Sequence, residues 1–244
     1  MKPKISLFAT AYRPQYWMNL YDTLRDNKIS FEIVFVGPNE PSYPLPDNFY
    51  YIKSNVKPAQ CIEIATRCSV GELIMQIADD IEFVTDHALD QLYDLYKTVN
   101  NELIMLSPRY LVNDVDLSEL STHFFYGDLS SPMLAVGMIL SNSMYRSLGG
   151  IDKNFIAIHG ESDIAMQLYA LGGSVLLSDV YINEDKGKSQ GSDLCNEAWK
   201  HDRKVLEDLW LGAGKLRGIR SRPFEPFTDE RILEESQGPK GRWI

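Results

Sequence analysis

The chain has 244 residues, 44% hydrophobic and 24% charged, enough to bury a real core in one large α/β domain or two small ones. Its formal net charge of −10 argues against a groove that tracks nucleic-acid phosphates, so no nucleic-acid partner is expected. An acidic protein that binds a diphosphate would need a cation between the two.

No run approaches the roughly 20 apolar residues of a transmembrane segment. The apolar stretch near the N-terminus is too short for a signal peptide, because Arg13-Pro14 follows at once. A cytoplasmic protein is expected, with peripheral membrane contact left open. In chain order, Lys4–Thr10 reads as a buried strand, and Pro14 suits the first turn of a helix reaching to about Asn27. Phe31–Val36 is nearly all apolar after Glu32, as a central parallel strand should be. Gly37–Pro46 is a proline-rich loop, followed by a short strand near Phe49–Ile52. Pro58 opens a second helix, which Gly71 ends. Cys61 and Cys68 lie seven positions apart on it, about 10 Å between Cα atoms, too far for a disulfide. Glu72–Ile77 is a strand that delivers Asp79 and Asp80. Thr85 is placed to cap a helix carrying Leu89, Leu92, Tyr93 and Tyr96, and Glu102–Ser107 is a further strand. Residues 109–133 read as a long loop with Asp114 and Asp116. Beyond it, Glu161–Leu171 and Leu194–Leu211 read as helices, Ser174–Tyr181 as a strand, and Asn183–Gly191 as a polar loop. The tail from Gly212 should wrap the surface or be mobile.

Strand–helix alternation in short units is the pattern of a parallel sheet wrapped by helices. Such sheets bind ligands at the carboxyl ends of their strands, where Thr10–Arg13, Gly37–Glu40 and Ala78–Glu82 all fall. Asp79-Asp80-Ile81-Glu82 closes an apolar strand with hard oxygen ligands on a short arc. That suits Mg²⁺ or Mn²⁺, which also accept diphosphate oxygens. The plainer alternative is a solvated acidic turn before a helix.

The order of these segments resembles the GT-A glycosyltransferases, most closely the family 2 group, over roughly residues 4–190. Ile5–Arg13 is similar to the family's first strand and nucleotide-contacting loop. Gly71–Asp80 is similar to the run leading into its Asp-X-Asp motif. Gly149-Gly-Ile-Asp152 resembles its Gly-Gly-Phe-Asp segment, and His159-Gly-Glu-Ser-Asp163 resembles the helix start that carries the catalytic base.

The resemblance implies an α/β fold with a mostly parallel Rossmann-like central sheet flanked by helices and an acceptor-side extension. It implies one domain over 1–211, with a nucleotide-sugar half at 1–108, an acceptor half at 109–211, and a tail at 212–244. It also implies a metal-dependent, hexosyltransferase-type enzyme that moves a sugar, with inversion, from a UDP-linked or similar donor to a carbohydrate or other hydroxyl.

Aligned from Gly71, the motif reads Ala78-Asp79-Asp80, so Asp80 becomes the metal ligand, with Asp79 and Glu82 assisting. Donor contacts are implied for Thr10, Ala11, Tyr12, Arg13, Asn39, Lys57, Gln60, Ala78 and Asp79. Glu161 falls at the base position and Asp163 at the second carboxylate; the alternative is a pair that favours a helix N-terminus. His159, Phe124, Phe125 and Tyr126 fall where the family binds acceptors. The family often carries a histidine after this strand; the segment Ile182–Gln190 has none, and Asn183 or Glu184 stands in its place, with Lys186 and Lys188 available to phosphate. A sugar nucleotidyltransferase is the rival enzyme, although Thr10–Arg13 lacks its usual glycines. A non-catalytic carbohydrate-binding protein is the rival outside catalysis.

Overall fold

The computed structural model describes residues 2–116, 137–184, 193–210 and 223–228. Nine strands among them form one sheet: β1 (Ile5–Thr10), β2 (Phe31–Gly37), β3 (Phe49–Lys53), β4 (Leu73–Gln76), β5 (Ile81–Phe83), β6 (Ile104–Val112), β7 (Val115–Asp116), β8 (Ile139–Ser141) and β9 (Ser174–Glu184). The order is β3-β2-β1-β4-β8-β6-β9-β5, with β7 attached to β6. The block β3-β2-β1-β4 is parallel, as the apolar runs predict, and β6–β9 is a second parallel pair. The remaining pairings, β4–β8, β6–β8, β6–β7 and β5–β9, are antiparallel.

Six helices cover the sheet: α1 (Pro14–Asp22), α2 (Pro58–Cys68), α3 (Ala88–Val99), α4 (Asn142–Leu148), α5 (Gly160–Ala170) and α6 (Asp193–Trp210). Strand alternation sorts the core by face. Ile5, Leu7, Ala9, Ile33 and Phe35 pack with α1 and α3, against Trp17, Leu20, Leu89 and Leu92. Phe8, Val34 and Val36 point the other way, into Cys61, Ile64, Ile164, Leu206 and Trp210. Among the described residues no helix is long and apolar enough to cross a membrane.

Local signals explain most boundaries. Proline stands at the start of α1 and of α2, where its missing N–H costs nothing. At the amino end of the sheet, Glu32 is buried but satisfied. It accepts hydrogen bonds from Ser6 Oγ at 2.7 Å and from the Val70 N–H at 2.8 Å. The Gly71 N–H in turn donates to Ser6 Oγ at 2.8 Å, so this knot pins the β1–β2–β4 register.

Four expectations change. Strand β9 runs on to Glu184, through Asn183 and Glu184 that read as loop, because both its edges find partners, in β5 and β6. Helix α1 stops at Asp22 rather than near Asn27. Thr85 does not cap α3, because its Oγ1 accepts from the Tyr181 N–H at 2.8 Å and ties the acidic turn to β9. The helix begins at Ala88, and Asn27 Oδ1 takes the Leu89 and Asp90 N–H groups at 2.8 and 3.2 Å. Finally, the start of the expected long loop is a two-residue hairpin joining β6 to β7. Asn113 and Asp114 both have positive φ, 49° and 64°, as a type I′ turn requires.

Part of the tail packs on the body. Phe227 is buried, and Asp152 pairs with Pro226 in an isolated antiparallel bridge. Phe224 covers Gly149, where a Cβ would come within 2.6 Å of its ring.

At Gly37 the end of β2 passes so close to β1 that a Cβ would lie 1.8 Å from the Ala11 carbonyl oxygen. That atom cannot yield without breaking the loop at the carboxyl end of β1. Gly37→Ala should therefore lower unfolding stability by about 1–3 kcal/mol, read from urea denaturation.

Candidate functional site

The carboxyl ends of β1, β2 and β4 meet around Asp79. Parallel pairing sets Phe8 opposite Gln76, so the loops that follow β1 and β4 emerge side by side. Asp79 is 1% exposed, and its charge is met by five donors. Oδ2 accepts from the Tyr12 N–H at 2.6 Å, the Arg13 N–H at 2.7 Å and the Trp17 indole at 3.3 Å. Oδ1 accepts from Arg13 Nε at 2.9 Å and Nη2 at 2.6 Å. Asn39 joins the third loop by donating its Nδ2–H to the Tyr12 carbonyl at 2.7 Å.

Asp80 is 3% exposed and less well served. Arg13 Nη2 donates to its Oδ1 at 2.8 Å. Nη1 lies 2.5 Å from Oδ2, but that buried oxygen has no partner of hydrogen-bonding geometry among the described residues. Burial pushes the carboxyl up to about 6; Arg13 opposes that, and the charges of Asp79 and Glu184 add to it. Glu184 is close because β5 pairs with β9, with Ile81 opposite Glu184 and Glu82 opposite Asn183.

Fit to a divalent cation follows from these environments. Among the described residues no three Asp, Glu, His or Cys side chains form a ready metal cage, so Asp79, Asp80 and Glu82 are not gathered as one. Asp79 has spent its oxygens on the loop. Asp80 keeps an unaligned buried oxygen, with Glu184 near it. One or two carboxylates suffice for Mg²⁺ or Mn²⁺ when phosphate and water complete the shell, so the residues fit such an ion as an Asp80-centred site.

The opposite side comes from the second half of the chain. Gln76, at the end of β4, donates its Nε2–H to Glu161 Oε2 at 3.3 Å, while its own Oε1 is buried without a partner among the described residues. Glu161 stands in the first turn of α5. Burial raises its pKa above the usual glutamate range; its own backbone N–H and Gln76 pull it down, and the charge of Asp202 pushes it up. Asp163 is fully buried and takes the Trp210 indole N–H at 2.8 Å and Gln167 Nε2 at 3.2 Å, which ties α6 to α5. His159, the residue before α5, has φ of 63°, and burial lowers its pKa against the raising charge of Asp202.

The other implied donor contacts are dispersed. Thr10 Oγ1 donates to the Pro58 carbonyl at 2.8 Å, and Ala11 is fully buried under Gly37. Tyr12 and Ala78 are exposed. Lys57 Nζ donates to the Lys153 carbonyl at 2.5 Å and stands 5.3 Å from the Phe227 ring centroid, while Gln60 is buried in α2. Phe124, Phe125, Tyr126, Lys186 and Lys188 lie outside the described residues.

No protein-family model and no curated protein matches the sequence. Solved structures do match. S. aureus TarS 1–349 in complex with UDP-GlcNAc superposes with a TM-score of 0.60 at 13% identity, covering 84% of this chain and 66% of that one. The chain shares with these structures the α/β fold, a central sheet flanked by helices, that the GT-A resemblance led one to expect. The UDP complex of TarS 1–349 matches with a TM-score of 0.57 at 13% identity, over 75% of this chain and 61% of that one. The match to a longer S. aureus TarS structure covers 36% of that chain, at 14% identity and a TM-score of 0.57. This chain therefore spans about three fifths of the shorter TarS chain and just over a third of the longer one.

In this fold three contributors escaped sequence reasoning. Trp17 reads as core and also donates to Asp79. Gln76 is a polar residue at the end of an apolar strand, and that is a usable signal. Asp202 gives none, since it sits in a helix rich in charge. Its carboxylate, fully buried, accepts from the consecutive N–H groups of Ile156, Ala157 and Ile158 at 2.9, 2.7 and 2.8 Å. It thereby shapes the segment that enters α5. Asp202→Ala should cost about 2–4 kcal/mol in chemical denaturation, because three half-buried N–H groups lose a charged acceptor.

Proposed function

We propose that this chain is a glycosyltransferase that moves a sugar from a nucleotide-diphosphate sugar to an acceptor hydroxyl, with inversion. One observation carries the reading. Glu161 is hydrogen-bonded through Gln76 to the strand whose next residues lead to Asp80. A raised carboxyl and a cation-competent carboxylate are thus both tied to one strand end, where acceptor and leaving-group chemistry would meet. The complexes of TarS with UDP and UDP-GlcNAc support a UDP-linked donor as the first class to test.

In this reading Asp80, with Glu184 beside it, holds Mg²⁺ or Mn²⁺. The cation supplies positive charge for the departing diphosphate. It also answers the net charge of −10, which otherwise repels the donor. Tyr12, Arg13 and Asn39 flank the nucleotide on the loops that Asp79 holds together. Glu161 accepts the proton of the acceptor hydroxyl as that oxygen bonds to the anomeric carbon. The bond from that carbon to the diphosphate oxygen breaks on the opposite face, and the electron pair leaves with the diphosphate. Asp163 and Asp202 position Glu161 through α5 and the segment before it.

Thermal denaturation tests the donor site. UDP with Mn²⁺, at about a hundred times its Kd, should raise Tm by roughly 5–10 °C, and UDP alone by much less. A survey of nucleoside diphosphates in which none stabilises the protein with Mn²⁺ would sink the reading.

The base is tested by pH. Glu161 must be ionised to act, so kcat/KM, followed as UDP release, should fall on the acid side through a pKa above the ordinary glutamate value of about 4.3. Gln76→Leu removes an N–H that favours the carboxylate and should move that limb to higher pH. Glu161→Ala should lower turnover by about 10²–10⁴-fold while UDP binding persists. Unchanged turnover in Glu161→Ala rejects the assignment.

A further inference from the structure

We infer that Arg13 is a resident counter-ion of Asp80, one that a divalent cation must displace, so that cation and diphosphate enter as a coupled pair. The inference rests on the donor-site reading above and adds a gate to it.

The geometry is specific. Arg13 is anchored on Asp79, with Nε at 2.9 Å and Nη2 at 2.6 Å from Oδ1. From that anchor the guanidinium leans over Asp80, with Nη2 at 2.8 Å from Oδ1 and Nη1 at 2.5 Å from Oδ2. The Oδ2 contact has charge but no hydrogen-bond alignment. The oxygen best suited to a metal is thus covered by a positive group in direct ion-pair contact with it.

A Mg²⁺-sized ion sits about 2.0–2.1 Å from a ligand oxygen. Placed on Oδ2, it would fall within contact range of Nη1, where two cations repel strongly in a partly buried setting. They cannot share the atom. Asp79 can keep its own hold on Arg13 through Nε while the outer edge of the guanidinium swings off Asp80. The Arg13 side chain is 28% exposed, against 0% for Asp80, so the arginine is the member with room to move.

Charge decides where it goes. Asp79, Asp80 and Glu184 face a single guanidinium. A cation arriving alone meets Arg13, and a diphosphate arriving alone meets the carboxylates. Together they give the guanidinium a phosphate to grip, a pairing its planar fork suits, and they leave Asp80 to the metal. Each ligand then favours the other, and the coupling is reciprocal.

The test measures Mn²⁺ binding by isothermal titration and by electron paramagnetic resonance, with and without UDP, in wild type and Arg13→Gln. Without UDP, Mn²⁺ should bind Arg13→Gln about tenfold tighter than wild type, and the tightening caused by UDP should shrink by a similar factor. Equal or weaker Mn²⁺ binding in Arg13→Gln, with wild type still binding Mn²⁺ and UDP together, overturns the gate and leaves the donor site standing. Absence of joint binding in wild type overturns both. Should Arg13→Gln fail to fold, Arg13→Met repeats the comparison. Wild type alone gives a further reading: the Arg13 side-chain N–H resonances should shift with Mg²⁺ and UDP together. Resonances unmoved by the pair would also overturn the gate.

Discussion

The site depends on one buried carboxylate. Asp79 has almost no access to water, so its charge must be met by protein donors, and it gathers five. Charge-assisted bonds in a low-dielectric surrounding are the strong ones. Meeting them dictates the path of the chain after β1, the docking of Trp17 at the start of α1, and the pose of Arg13. The pose of Arg13 in turn governs what Asp80 can do. Replacing Asp79 would therefore disturb the donor side as a unit rather than remove one contact.

The acidic residues divide by how many donors they have. Asp79, Asp163 and Asp202 are buried and well supplied, and each joins two segments of chain. Asp80 is buried and Glu161 half-buried, both with fewer partners, and loss of water raises both above the ordinary carboxylate range. Raised and under-served carboxylates are the ones to which the proposed function assigns a cation and a proton. The same side chain thus serves as a brace or as a chemical group according to its surroundings.

Much of the framework was legible in the residues. Central parallel strands are buried on both faces, so Ile5–Thr10 and Phe31–Gly37 read as continuous apolar runs. Pro14 and Pro58 mark helix starts because their rings suit that position alone. What stayed hidden depended on distant partners. Thr85 has the character of an N-cap, yet it bonds to β9, and Asn27 supplies the α3 amides across about sixty residues of sequence. The short strand β5 is invisible without β9 beside it. The lone Gln76 and the buried Asp202 became meaningful only when Glu161 and the segment 156–158 were found against them.

By itself the sequence determined the alternation of strands and helices, the carboxyl-end placement of the acidic pair, and the family resemblance that points to a GT-A fold. Those follow from local periodicity, turn chemistry and motif order, which the chain carries along its length. Motif order had already singled out Asp80 of the two adjacent aspartates, but only the tertiary structure showed how differently they are held: five donors meet Asp79, while Asp80 is met by Arg13. Asp79 and Asp80 are identical side chains one residue apart. Their difference lies in which donors reach them from the loop after β1 and from α1, with the charge of Glu184 on β9 beside Asp80, and that is a property of the fold.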